Sequence, residues 1–161
     1  MRFQGKSRLG FYPLPLPESQ RIRRFLSFPD QSTSAVDPCV GDGAAFEAIT
    51  SAAGVLRYGI ELDAFRAEQA RQRIPNVIQG NTLEVQCAVE CFGLLYLNPP
   101  YDWTPGPADN RRTEPAFLTH TYRWLNGTLG STMNSPAEGR SNRLLAWDAL
   151  LCWSEGRKSC S

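Results

Sequence analysis

The chain has 161 residues, 42% of them hydrophobic and 20% charged, and its 17 basic side chains nearly balance 16 acidic ones to leave a formal net charge of +1. That composition is globular rather than disordered, and a charge so close to zero neither announces a nucleic-acid partner nor excludes a local basic patch. No run approaches the ~18 apolar residues that cross a bilayer, and the opening MRFQGKSRLG leads into no apolar signal-peptide stretch, so a cytoplasmic protein off the membrane is expected.

GFYPLPLPESQ (10–20) is punctuated by prolines and extended, and 18–26 fits a short helix with Ile22, Phe25 and Leu26 on one face. Residues 35–37 form a brief apolar strand that stops at Pro38 and enters a glycine turn. The alanine-rich 44–53 favours helix until Gly54 ends it. LRYGIEL (56–62) reads as a buried strand, Asp63 as the cap of a helix over 64–73, Pro75 as its stop, and NVIQG (76–80) as a third strand. FGLLYL (92–97), the most apolar run, is predicted as a central strand. A loop fills 102–112, and 113–125 fits a helix with Phe117, Leu118, Tyr122 and Leu125 on one face. Strands alternating with helices in this order predict an α/β fold, a parallel sheet with covering helices.

The five cysteines (39, 87, 91, 152 and 160) are odd in number and lack metal-ligand spacing, and the single histidine, His120, is distant from them in sequence. They read as reduced cytosolic thiols rather than ligands of a structural zinc.

Chemistry concentrates at strand ends. In DPCVGDG (37–43), Gly41 and Gly43 allow a tight turn and a close approach of backbone to ligand, with Asp37 at the end of the strand before them. Glu61 ends the next strand, where a carboxylate accepts hydrogen bonds from a ribose diol. Asp42 between the glycines repels a pyrophosphate, and no Lys-Ser/Thr follows, which argues against a P-loop and against a dinucleotide. The plainer alternative is a loop glycine pair and a surface glutamate. The fourth strand runs into Asn98-Pro99-Pro100-Tyr101. A proline ends a strand, but that alone does not explain the tetrad.

DPCVGDG, GIELD, GN and NPPY, in this order on successive strands, resemble the class I S-adenosylmethionine-dependent methyltransferases. More narrowly they are similar to the amino-group methyltransferases, chiefly the DNA N6-adenine enzymes. The resemblance implies a Rossmann-like parallel sheet and S-adenosylmethionine as cofactor. It implies Asp37, Cys39, Gly41 and Gly43 at the methionine end of that cofactor, Glu61 on its ribose and Asn81 near its adenine. Phe11 and Tyr12 would help close the site, and Asn98, Pro99, Pro100 and Tyr101 would form the catalytic lip. An exocyclic amine is a poor nucleophile because its lone pair delocalises into the ring. The Asn98 side-chain oxygen and the Pro99 carbonyl can accept its N–H bonds and aim the lone pair, while the prolines hold that carbonyl rigidly. Tyr101 offers a ring on which a flipped-out base stacks. DNA is the expected partner, with basic residues 21, 23, 24, 71, 73, 111 and 112 as candidate phosphate contacts. The same tetrad also suits RNA or a protein glutamine.

The pattern breaks after Leu125. NGTLGSTMNSPAEGRSNR carries no β-branched run where a further strand is due, LLAWDALLCW (144–153) fits a helix, and EGRKSCS is a tail. The expectation is a methyltransferase-like core over 1–125, a divergent segment over 126–161, and a sheet incomplete after its fourth strand. A homodimer partner or the 144–153 segment would then cover that strand's exposed edge. Two rival readings stand beside the enzyme: a non-catalytic cofactor- or nucleic-acid-binding module, and an inactive remnant.

Overall fold

The structure is a computed structural model, and it describes residues 11–28, 33–52, 54–100 and 114–126. Four α-helices and four strands follow along it, with only a 3-10 turn between the last two strands: α1 (Leu16–Arg23), β1 (Thr33–Asp37), α2 (Ala44–Ile49), β2 (Val55–Glu61), α3 (Ala64–Arg71), β3 (Asn76–Gln79), β4 (Leu94–Leu95) and α4 (Glu114–Thr121), among the described residues. The sheet has the order β3-β2-β1-β4 with every pairing parallel, so the expected α/β architecture is present. Residues beyond Asn126, including the 144–153 segment and most of the expected divergent region, lie outside the described residues.

Local sequence accounts for most element ends. Pro17 stands in the first turn of α1, where its missing N–H costs nothing. The helix stops at Arg23, so Phe25 falls in the turn behind it and is 60% exposed, whereas Ile22 and Leu26 pack on the core. The expected face thus loses Phe25 because the helical period ends before reaching it. Helix α2 is also shorter than the alanine-rich run. Thr50 turns its hydroxyl back to the Phe46 carbonyl (2.6 Å), and Arg57 takes the Thr50 oxygens with Nε (2.8 Å) and Nη2 (2.7 Å), closing the helix end. Asp63 caps α3 as expected, its Oδ1 accepting the Arg66 N–H at 2.9 Å.

Strand alternation divides the core between the two sheet faces. Ala35, Leu94 and Tyr96 join Phe46, Ile49, Ala70 and Ile74 under α1, α2 and α3. Val36, Ile60 and Leu95 join Phe92 and Trp124 on the opposite face. The α4 face departs from expectation: Glu114, Thr121 and Trp124 are buried, and Tyr122 is 57% exposed. The chain tightens into a 3-10 turn over Tyr122–Trp124, which shifts the phase from 3.6 to three residues per turn and brings the indole inward against His120.

The run 92–97 is buried as expected but is not a central strand. β4 spans two residues and is the outer member of the four-stranded sheet among the described residues. The prolines at 99 and 100 cannot extend the ladder. On its far side Phe92 pairs in parallel with Leu125, donating to the Trp124 carbonyl (3.0 Å) and accepting from the Asn126 N–H (2.7 Å). Among the described residues no helix is long and apolar enough to cross a membrane.

Candidate functional site

The carboxyl ends of parallel strands leave a crevice where ligands bind, because loops diverge there and helix starts face it. In this protein the ends of β1, β2 and β4, the turn after β3 and the arm 11–14 enclose a cavity of about 140 Å³.

The glycine turn forms its floor. Gly41 has φ +59° and Gly43 φ +82°, left-handed values that favour glycine. The Gly41 N–H donates to Glu61 Oε2 at 2.9 Å, so the turn after β1 is tied to the acid that ends β2. Glu61 is 6% exposed, and its Oε1 accepts from the Asp63 N–H (2.9 Å) and from Arg66 Nε (3.1 Å) and Nη2 (2.7 Å). Asp37 is buried at the end of β1, with Oδ1 accepting the Cys39 N–H at 2.8 Å. Burial pushes its carboxyl up to about 8, against the pull of that hydrogen bond and with a further push from the Glu61 charge. Burial likewise raises the Cys39 thiol well above its usual value, with the Asp37 and Glu61 charges adding to it.

Of the residues singled out in the sequence, Phe11, Tyr12, Asp37, Cys39, Glu61, Asn81, Asn98, Pro99 and Pro100 line this one cavity. Gly41 supports it through Glu61. At Gly43 a Cβ would meet Ile74 Cδ1 at 3.1 Å and the Ala70 Cα at 3.3 Å, so this glycine lets α2 start close against α3. Asp42 accepts the Ala44 N–H (3.1 Å) and helps start α2. Asn81 lines the cavity, yet its amide serves its own turn, accepting from the Leu83 N–H (3.1 Å) and donating to Glu84 Oε1 (2.9 Å). Tyr101 lies outside the described residues, as do Arg111 and Arg112.

Asn98 Nδ2 donates to the Tyr12 carbonyl at 3.4 Å, linking the lip after β4 to the arm. The Phe11 ring covers Gly41, whose Cβ position lies 2.3 Å from Phe11 Cε2, and stacks 4.9 Å from the Arg66 guanidinium. Sequence reading missed Arg66, Tyr96, Thr82 and Phe117, all of which line the cavity. Thr82 donates its hydroxyl to the Pro38 carbonyl and so joins the turn after β3 to the glycine turn. Arg66 had a readable signal. It is the third residue of a helix capped by Asp63, and side chains there fold back over the chain before the helix, where Glu61 stands.

Three of the basic residues expected to meet phosphates have partners inside the protein. Arg23 donates to the Leu26 carbonyl (2.7 Å) and lies over Phe28, Arg71 pairs with Glu68 (3.1 Å), and Arg73 pairs with Glu47 (3.2 Å). Cys87 and Cys91 bring their sulfurs to 3.2 Å, and burial with that contact raises the Cys87 thiol to about 11. His120 is bonded to the Val85 carbonyl at 2.9 Å, away from the cavity lining.

Residues 1–129 match the uncharacterised methyltransferase family (DUF6094). No curated protein is significantly similar in sequence. Among solved structures, the type I restriction-modification system methyltransferase subunit from Streptococcus thermophilus is similar with a TM-score of 0.60 at 20% identity, over 75% of this chain and 33% of that one. Geranyl diphosphate methyltransferase in complex with S-adenosylmethionine is similar with a TM-score of 0.55 at 13% identity, over 69% of this chain and 45% of that one. At such identities the likeness establishes the fold, a class I Rossmann-type methyltransferase fold. The chain spans less than half the length of either protein.

Proposed function

The chain belongs to the uncharacterised methyltransferase family, and from that membership we propose that it transfers a methyl group from S-adenosylmethionine to an exocyclic amino nitrogen, most concretely N6 of adenine in DNA. The observation that carries the reading is one cavity shared by Glu61 at the end of β2 and Asn98-Pro99-Pro100 after β4. A buried carboxylate bonded to a left-handed glycine turn fits the ribose and methionine parts of such a cofactor. Glu61 would take the ribose, Asp37, Cys39 and Gly41 the methionine end, Asn81 the adenine edge, and Phe11 and Tyr12 the cover. Gly43 contributes by setting the start of α2.

Bound S-adenosylmethionine supplies an electrophilic methyl group on a sulfonium centre. The protein's part is to aim a weak nucleophile. Asn98 and the Pro99 carbonyl accept the two N–H bonds of the amine, which turns its lone pair away from the ring. The Tyr12 carbonyl accepts from Asn98 Nδ2, which ties the lip after β4 to the arm that covers the cavity. Tyr101 would stack on the extruded base.

Asn98→Ala tests the assignment. Methyl transfer to unmethylated DNA should fall by about 100-fold or more, with the calorimetric affinity for S-adenosylmethionine retained. Unchanged turnover in the variant would remove Asn98 from the catalytic role. Transfer by the wild type to RNA or to a glutamine peptide, with none to DNA, would keep the amino-group chemistry and replace the substrate.

A further inference from the structure

Glu61 does not present two equivalent oxygens. Oε1 accepts three hydrogens, from the Asp63 N–H at 2.9 Å and from Arg66 Nε and Nη2 at 3.1 and 2.7 Å, whereas Oε2 accepts one, from the Gly41 N–H at 2.9 Å. A carboxylate has about four acceptor positions, two on each oxygen. Oε1 is therefore saturated and Oε2 half used. A ribose diol chelates a carboxylate by giving one hydroxyl to each oxygen, and Arg66 stands on one of the two positions it needs.

Arg66 is held there by both its backbone and its guanidinium. Its backbone N–H is fixed to Asp63 Oδ1 at the first turn of α3, its fork grips Oε1, and the Phe11 ring covers it with 4.9 Å from Cζ to the ring centroid. The same ring rests on Gly41. With Phe11 and Arg66 in these positions the cavity measures about 140 Å³, less than half of the ~300 Å³ at the lower end of small-molecule sites.

We infer that Arg66 sets the nucleoside affinity of this site by competing with the ribose diol for Glu61 Oε1, with Phe11 holding the guanidinium in the competing position. The inference rests on the cofactor reading above. Binding of a nucleoside opens the Arg66–Glu61 fork and lifts Phe11 from Gly41, so affinity is what remains after that contact is broken. Arg66 touches neither reacting atom; it acts through Glu61 on how tightly the ribose is held.

The test is calorimetric titration of the full chain and of Arg66→Gln with S-adenosylhomocysteine and with its 2′-deoxy analogue. Losing a charge-assisted fork should tighten S-adenosylhomocysteine binding by about tenfold or more, and the gain should vanish with the 2′-deoxy analogue, which cannot chelate the carboxylate. Binding by the variant alone, with none by the wild type, supports the inference in its strongest form. Equal or weaker binding by a variant that melts as the wild type does overturns it. If neither protein binds S-adenosylhomocysteine, the cofactor reading itself falls and the inference with it. Should Arg66→Gln fail to fold, Arg66→Lys keeps a charge near Glu61 without the fork. A smaller gain of the same sign then supports the competition, and no gain refutes it.

Discussion

Gly41→Ala probes the contact between the arm and the glycine turn, and its cost divides into two parts. The backbone part follows from φ +59°, a left-handed conformation that costs a residue with a Cβ about 1–2 kcal/mol. The steric part follows from the new methyl group, which would stand 2.3 Å from Phe11 Cε2. Carbon atoms rest at about 3.5–4.0 Å, so the ring must withdraw by more than ~1 Å. Withdrawal removes its contact with Arg66, worth about 0.5–1 kcal/mol, and part of the apolar burial of a half-buried phenylalanine, about 1 kcal/mol. The single substitution should therefore cost about 3 kcal/mol. In a Phe11→Ala background only the backbone part remains, which leaves a coupling of about 1–2 kcal/mol. Urea denaturation of the four proteins of this cycle measures it. A Gly41→Ala cost that agrees in the two backgrounds to within about 0.5 kcal/mol would mean that the ring does not rest on the glycine, and the argument for a covered cavity would fail with it.

Asp37→Asn keeps an acceptor for the Cys39 N–H and removes the buried acid. Because the folded carboxyl is raised from 3.8 to about 8, the folded chain holds a proton that the unfolded chain releases. Its contribution to stability is complete below pH 3.8, erodes as pH rises, and is gone once pH passes about 8. The variant should gain on the wild type across that window by up to about 1.4 kcal/mol per pH unit, read as the difference between urea midpoints at successive pH values; a difference independent of pH would refute the assignment. Trp124→Ala empties the centre of the second core cluster, where the indole is 2% exposed. It should cost about 3–5 kcal/mol in the same assay, and a loss under about 1 kcal/mol would show that the chain after α4 is not packed on the sheet.

The order of elements was readable because its signals are local. Asp63 announces a helix start, Gly41 a left-handed turn, and Glu61 a strand end, and each is decided by a few neighbouring residues. What escaped depends on partners far away in sequence. The place of β4 in the sheet is set by which strands pair, and that is not written in its own residues. Trp124 faces inward because the last turn of α4 tightens, a change of period that no fixed spacing anticipates. Glycine identity says that close approach is needed but not to what, so the packing of Gly43 on Ala70 and Ile74 was not legible. Asn81 lies in the cavity lining, and what spacing did not show is that its amide also holds its own turn through Leu83 and Glu84. Arg66 was missed although its signal was local: the Asp63 cap puts it third in the helix, where a side chain folds back toward Glu61.

Gly59 gives the floor and the cover of the cavity different mechanical characters. A Cβ on that strand residue would fall 2.9 Å from Val40 Cγ1, so its absence lets the valine seat directly on β2, and the Val40 N–H reaches the Ile60 carbonyl at 3.0 Å. The glycine turn is thereby fastened to the middle of the sheet by contacts that do not involve the arm. None of these floor contacts uses Phe11, so their ordering belongs to folding rather than to ligand capture. If Phe11 lifts as inferred above, a ligand meets a floor already fixed by the sheet, and the ordering cost of binding falls on the arm.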